Sequence, residues 1–198
     1  MTVVLRFGDR RIPRPLRRLA VHDVTEPADV DAVTETAQRV VVLGGNADLA
    51  TVLTRLLRTE RLGVEVAPVT RPWRARRARS GTARRVPLIR DETGSALFGT
   101  ALWRPAEDAA AIEGEAVVDD TVLFDGHAPG LRVQPLDRVP GLRACVDRGP
   151  WRRRRWVAGR AAQLGTTAAT VLRDGVPAPR PVRRSTFYRN TEGWLRVG

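Results

Sequence analysis

Lysine is missing altogether: each of the 34 basic residues in this 198-residue chain is arginine. Lysine-free chains rich in Ala, Val, Arg, Gly and Pro are what a GC-rich genome encodes, here read as that of a high-GC bacterium. That accounts for the choice of cation but not for its excess over 22 acids. The single cysteine, Cys145, excludes an intramolecular disulfide. The two histidines, His22 and His127, stand far apart, and neither a His-Glu-x-x-His nor a paired-cysteine pattern occurs, so no metal ligands are assigned. A Gly-x-Ser-x-Gly elbow is also missing, and no residue is assigned as catalytic. No run of about 18 apolar residues occurs and no apolar signal region follows Met1. The expectation is a soluble, cytoplasmic protein, peripheral at the membrane if its arginines meet acidic headgroups.

What is present is 42% hydrophobic residues, enough for a sizeable core, and a net charge of +12 that favours anionic partners. The stretch from Arg39 to Val69 organises the chain. Val40-Val41-Val42-Leu43 is continuous, β-branched and apolar, as a strand buried on both faces requires. Gly44 and Gly45 end it, Asn46 and Asp48 are good helix caps, and Leu49, Val52, Leu53, Leu56 and Leu57 then recur at helical spacing. Gly63 closes that helix and Val64-Glu65-Val66 opens another strand. Upstream, Val3–Phe7 and Leu19–Val24 read as strands, and Glu26 starts a helix running to about Ala37. Strands alternating with helices predict a parallel sheet with right-handed crossovers. Pro72 begins a short arginine-rich helix, and Ser80-Gly81-Thr82 reads as a linker. Beyond it, short extended runs are separated by turns such as Asp125-Gly126, Pro140-Gly141 and Asp174-Gly175, with only Pro105 to Ile112 reading as helix. The predicted fold is therefore an α/β unit over residues 1–80 and a mainly antiparallel β domain over residues 86–198, with a cleft between them.

Two places match a known pattern. Val40 to Leu57 aligns without gaps with an apolar strand, Gly-Gly-Asp-Gly-Thr and an apolar helix, the lipid-kinase signature. Ala168 to Val176, with Asp174-Gly175 and a proline-rich turn after it, is similar to an Asp-Gly-Glu hairpin near the C-terminus. In these motifs the chain resembles the diacylglycerol kinase and NAD kinase superfamily. The resemblance implies Gly44, Gly45, Asn46 and Asp48 as the phosphate or nucleotide site and, if kinase activity is retained, ATP and Mg2+ as cofactors and transfer of the ATP γ-phosphate to a lipid hydroxyl. Three features depart from the pattern. Asn46 and Ala47 stand where the family has Asp and Gly, Val176 stands where it has the metal-associated Glu, and the N-terminal Asn-Pro-x-Ser-Gly loop is replaced by Phe7-Gly8-Asp9-Arg10. The implied function is that of a degenerate lipid-kinase-like protein, a pseudoenzyme binding a nucleotide or other phosphorylated ligand in regulation or scaffolding. Asp48 could hold a metal or simply cap the helix, and both readings stand at this point.

Arginine clusters offer the alternative: a basic module for nucleic acid or an anionic membrane surface. Trp151-Arg-Arg-Arg-Arg-Trp156 would put Trp151, Arg153 and Arg155 on one face of a strand and Arg152, Arg154 and Trp156 on the other. It reads as an anion-binding aromatic strip or as a charge-protected edge. Candidate anion-binding residues are Arg71, Arg74, Arg76, Arg152, Arg153 and Arg154, with the Arg71–Arg85 cluster placed near the cleft. Candidate partners are thus a nucleotide or phosphorylated small molecule, an anionic lipid or nucleic acid, and a second copy of the chain in a homodimer. Asp119-Asp120 reads as a turn and Cys145 as a small buried hydrophobe.

Overall fold

In the computed structural model, which describes residues 1–149 and 153–198, the chain forms two units, Met1–Val86 with Glu192–Gly198 and Pro87–Thr191. The first unit begins with strands β1 (Thr2–Phe7) and β2 (Ala20–Val24), helix α1 (Pro27–Thr34), strand β3 (Arg39–Leu43), helix α2 (Asn46–Arg58) and strand β4 (Glu65–Pro68). Helix α3 (Ala75–Ser80) and strand β5 (Ala83–Val86) follow. Each start has a local cause. At α1, the Asp29 carboxylate accepts the Thr25 N–H at 2.8 Å and the Glu26 N–H at 3.0 Å, and Pro27 supplies a helical φ without a wasted donor. The helix stops at Thr34 rather than near Ala37, because the Thr34 hydroxyl turns to the Asp31 carbonyl and competes with the ladder. In α2 four residues of the predicted stripe, Leu49, Val52, Leu53 and Leu56, are fully buried, each contributing about 1.5–3 kcal/mol relative to exposure, while Leu57 is half-buried at its edge.

The second unit contains β6 (Ile89–Asp91), β7 (Ala96–Leu97), β8 (Ala101–Pro105), β9 (Ile112–Val118), β10 (Thr121–Ala128), β11 (Leu131–Pro135), β12 (Leu142–Val146) and β13 (Val157–Gly159). It ends with β14 (Ala161–Arg173), β15 (Val176–Pro177) and β16 (Val182–Arg189). All its pairings are antiparallel, and β14 is the spine, carrying β16 on one side and β9 then β8 on the other. Gly114 and Gly165 let β9 cross β14 closely: a Cβ at Gly114 would lie 2.1 Å from the Gly165 carbonyl oxygen. Trp103 and Phe187 meet at 5.7 Å in a core of Ile112, Leu131, Leu142 and Val171. The helix expected from Pro105 to Ile112 does not form. Pro105 is the last residue of β8, paired with Ala169, and Ile112 opens β9, so only a turn fits between them.

The last strand, β17 (Trp194–Val197), returns to the first unit and runs parallel to β4 and antiparallel to β5, giving the order β2-β1-β3-β4-β17-β5. Val86, expected to open the β-rich domain, instead ends β5 in the first sheet, and the first unit closes with residues from the C-terminus, which the sequence places in the second domain. The cause is an open edge: without β17 the second ladder side of β4 would be unpaired, and β17 fills it while burying its own Trp194 and Val197. Among the described residues no helix is long and apolar enough to cross a membrane.

Candidate functional site

Strands β2 and β3 lie on opposite sides of β1, so the chain reverses its winding between β1 and β3. In a parallel α/β sheet such a switch leaves a crevice outside the carboxyl ends of the two strands, open to a ligand. Register places Arg6 opposite Leu43, so Phe7-Gly8-Asp9-Arg10 and Gly44-Gly45-Asn46 emerge side by side. Gly8 turns the first loop with φ of +63°.

The two glycines do different work. Gly44 is buried, and a Cβ there would sit 2.7 Å from both Cβ and Oδ2 of Asp48. Gly45 has an ordinary extended backbone, φ −90° and ψ −170°, and a Cβ there would meet only Asp48 Oδ2 at 3.8 Å and Arg10 Nη2 at 3.9 Å. Asp48 accepts the Gly45 N–H at 2.7 Å, capping α2 from its third position. Exposed Asn46 begins the helix, whose first N–H groups have no partner within it and carry the positive end of the helix dipole. Arg10, which sequence reasoning passed over as part of a poor loop, reaches the turn across the crevice. Only the parallel register of β1 with β3 reveals it.

The third carboxyl end contributes as well. The Val69 N–H donates to the Val42 carbonyl at 2.9 Å, which leads the chain from β4 along the end of β3 into Arg71 and Trp73. Arg71 stacks over Trp73 at 5.2 Å, and Trp73 is 70% exposed. Arg74 and Arg76 are exposed on the short turn and helix that follow. Of the six arginines singled out, Arg71, Arg74 and Arg76 therefore belong to the first unit. Arg153 and Arg154 belong to the second, and Arg152, with Trp151, lies outside the described residues. Arg153 and Arg154 face apart: Arg154 lies 3.5 Å from Asp147, while Arg153 lines a cavity with Arg155.

The Asp174-Gly175 hairpin joins β14 to β15 with φ of +50° and +90°, the backbone of a two-residue turn with both centres left-handed. Its carboxylate points inward and accepts the N–H groups of Phe98 at 3.0 Å, Gly99 at 2.7 Å and Thr100 at 2.9 Å. Burial pushes the Asp174 carboxyl above the ordinary range, against the pull of those three N–H groups. Val176 is 55% exposed beside it. Fully buried Asp91 is a partner that no motif announced: it pairs with Arg173 and accepts the N–H groups of Thr93 and Ser95, both at 2.9 Å. The Asp119 carboxylate accepts the N–H groups of Arg160 and Ala161, and its φ of +49° serves the β9–β10 turn. Cys145 is buried, which pushes its thiol up and out of reach. Among the described residues no three His, Cys, Asp or Glu side chains converge as metal ligands. The donors at the glycine turn are N–H groups and a guanidinium, which suit phosphate oxygens. Oδ2 of Asp48 is engaged by the Gly45 N–H, so the donor set at the turn fits a phosphate better than a divalent cation.

No protein-family model and no curated protein sequence matches the chain. Solved structures do match in shape. An NAD kinase from Archaeoglobus fulgidus in complex with ATP aligns over 100% of this chain and 94% of its own, with TM-score 0.67 at 13% identity. A diacylglycerol kinase from Bacillus anthracis str. Sterne aligns over 99% and 96%, with TM-score 0.68 at 11% identity. Yeast NADH kinase complexed with NADH aligns over 99% and 74%, with TM-score 0.58 at 10% identity. The chain has the diacylglycerol kinase and NAD kinase fold, an α/β unit with a parallel sheet and a mainly antiparallel β unit.

Proposed function

We propose that the chain binds a nucleotide or another phosphorylated ligand in the crevice at the carboxyl ends of β1 and β3, and that its phosphoryl transfer is impaired or lost. The observation that carries this reading is Arg10 beside Gly45 at the switch point of the sheet. A guanidinium, a glycine without a side chain and the opening N–H groups of α2 form one donor set for phosphate oxygens. The likeness in fold to kinases whose structures hold ATP or NADH supports a nucleotide as the ligand. Arg71 and Trp73, leaving the neighbouring strand end, supply a cation and an aromatic face for the rest of such a molecule.

Impairment rests on the chemistry of the residues. The Asn46 amide carries no charge, and Oδ2 of the Asp48 carboxylate is engaged by the Gly45 N–H. Among the described residues no three metal-ligating side chains converge, and the role we assign to the site is recognition, suited to regulation or scaffolding. Where a kinase of this fold acts, ATP and Mg2+ supply the γ-phosphate and its charge neutralisation; here the residues present hold only the phosphate.

Calorimetric titration with ATP, with and without magnesium, at about 0.1 M and about 1 M salt tests the reading, since the Debye length falls from about 10 Å to about 3 Å between them. Saturable binding at both salts, indifferent to magnesium, is expected. Gly45→Val should fold and lose ATP, and Arg10→Ser should weaken it about tenfold, the loss of one charge-assisted contact. Unchanged ATP affinity in folded Gly45→Val would sink the assignment. Binding that vanishes at the higher salt would instead favour arginine-driven attraction to nucleic acid or anionic membranes.

A further inference from the structure

The second unit holds a cavity of about 290 Å³ lined by residues of β10, β12 and β13 and by Arg148, Arg153 and Arg155. Three guanidinium-bearing residues line it, Arg148, Arg153 and Arg155, together with the apolar Val122, Val146 and Val157. No carboxylate is among the described residues lining it, and none of the three arginines has an ion-pair partner among them. The nearest acid in sequence, Asp147, is already taken: Arg132 donates to it at 2.8 Å and Arg154 lies 3.5 Å away.

The alternation of the arginine run creates this arrangement. Arg154 is drawn to Asp147, and Trp156 lies under the Arg143 guanidinium, 4.2 Å from ring centre to Cζ. Arg143 is itself held by two N–H donations to Gln134 Oε1. With Arg154 and Trp156 anchored in this way, Arg153 and Arg155 line the cavity. All three arginines are exposed, so they remain open to an anion from solvent, and three guanidinium forks suit the oxygens of a doubly charged phosphate better than a single carboxylate. The volume is about ten times the share of a water molecule, room for a small organic body as well as its phosphate. Val122, 61% exposed, and the other two valines offer that body an apolar wall.

We propose that this cavity is a second ligand site, distinct from the glycine-turn crevice, that binds a small phosphomonoester with its phosphate on Arg148, Arg153 and Arg155 and its organic part against Val122, Val146 and Val157. The phosphomonoester group is common to a soluble metabolite and to the headgroup of phosphatidic acid, and the test separates these sources. Full-length protein with isotope-labelled valine methyl groups is titrated with phenyl phosphate, with inorganic phosphate, and with phosphatidylcholine vesicles with and without phosphatidic acid. Phenyl phosphate should shift the methyl signals of Val122, Val146 and Val157 saturably and bind more tightly than inorganic phosphate. Arg153→Ser with Arg155→Ser should weaken it about tenfold or more, while Arg183→Ser with Arg184→Ser, an equal charge loss at exposed positions, should not. Arg148→Ser provides an independent variant should the first pair misfold. Binding confined to phosphatidic acid vesicles, with the same dependence on Arg153 and Arg155, supports the site with the lipid as its source. Equal weakening by both double variants, or no shift of the three valines with any probe, overturns the proposal.

Discussion

Gly44→Ala is the sharpest test of the glycine turn, because the structure separates its two glycines. A methyl at Gly44 must occupy space 2.7 Å from Asp48 Cβ, an atom fixed to the α2 backbone that cannot rotate away. Either β3 or the first turn of α2 has to move, and overpacking of this kind costs about 1–3 kcal/mol. A methyl at Gly45 meets nothing closer than 3.8 Å, and its backbone is one any residue adopts, so Gly45→Ala should cost under about 1 kcal/mol. At about 2–4 °C per kcal/mol for a chain of this size, a cost of about 2 kcal/mol lowers the melting temperature by about 4–8 °C. Far-ultraviolet circular dichroism is the assay, since all helix among the described residues belongs to the first unit. Asp48→Gly removes the atom in conflict. Alone it should destabilise by about 1–2 kcal/mol through the lost cap and the added chain freedom. Combined with Gly44→Ala it should cost less than the sum by about 1 kcal/mol, the coupling expected of contacting residues. Equal stability of Gly44→Ala and Gly45→Ala, or strict additivity in the double variant, would refute the claim that Gly44 is required by packing and Gly45 is free for a ligand.

Two further predictions concern carboxylates whose titration has opposite sign. Asp31 pairs with Arg55 across α1 and α2, its Oδ1 accepting the Nε–H at 2.9 Å, and the hydrogen bond from that guanidinium holds its carboxyl below the usual range. Its contribution is present above the unfolded carboxylate pKa of about 3.9 and is lost as pH falls through the folded value. Asp31→Asn should therefore lower stability by up to about 1 kcal/mol at neutral pH, a gap that closes in acid, as urea melts across pH would record. Asp174 runs the other way: with its pKa raised by burial, the folded state holds the proton more tightly, so its contribution is full in acid and declines as pH rises through the folded value. Asp174→Asn should flatten that dependence. Because one amide oxygen replaces two carboxylate oxygens before three N–H donors, it should also destabilise by about 1–3 kcal/mol, measurable in the same melts.

Much of the first unit was legible because its signals are local. The β-branched run Val40–Leu43, the glycine turn and the stripe from Leu49 to Leu56 each encode one element, and all three stand where the spacing put them. The Asp174-Gly175 and Asp119-Asp120 turns were readable for the same reason, as short-range φ requirements. The helix expected from Pro105 to Ile112 failed because its residues were judged by propensity, while its two ends were claimed by strand pairing with β14 and β10.

Alone, then, the sequence determined the strand, turn, helix and strand from Val40 to Val66 and the basic charge, since periodicity, backbone permissiveness and charge are properties of neighbouring residues. Tertiary structure decided the rest. The parallel register of β1 with β3 brings Arg10, thirty-five positions away, onto Gly45. Pairing of β17 with β4 carries the C-terminus back into the first sheet. Burial matches Asp91 with Arg173, and side-chain packing rather than motif membership makes Gly44 the glycine the fold requires. Each is a meeting of residues distant along the chain, fixed by which strand edges and buried charges find partners, and no local pattern encodes those partners.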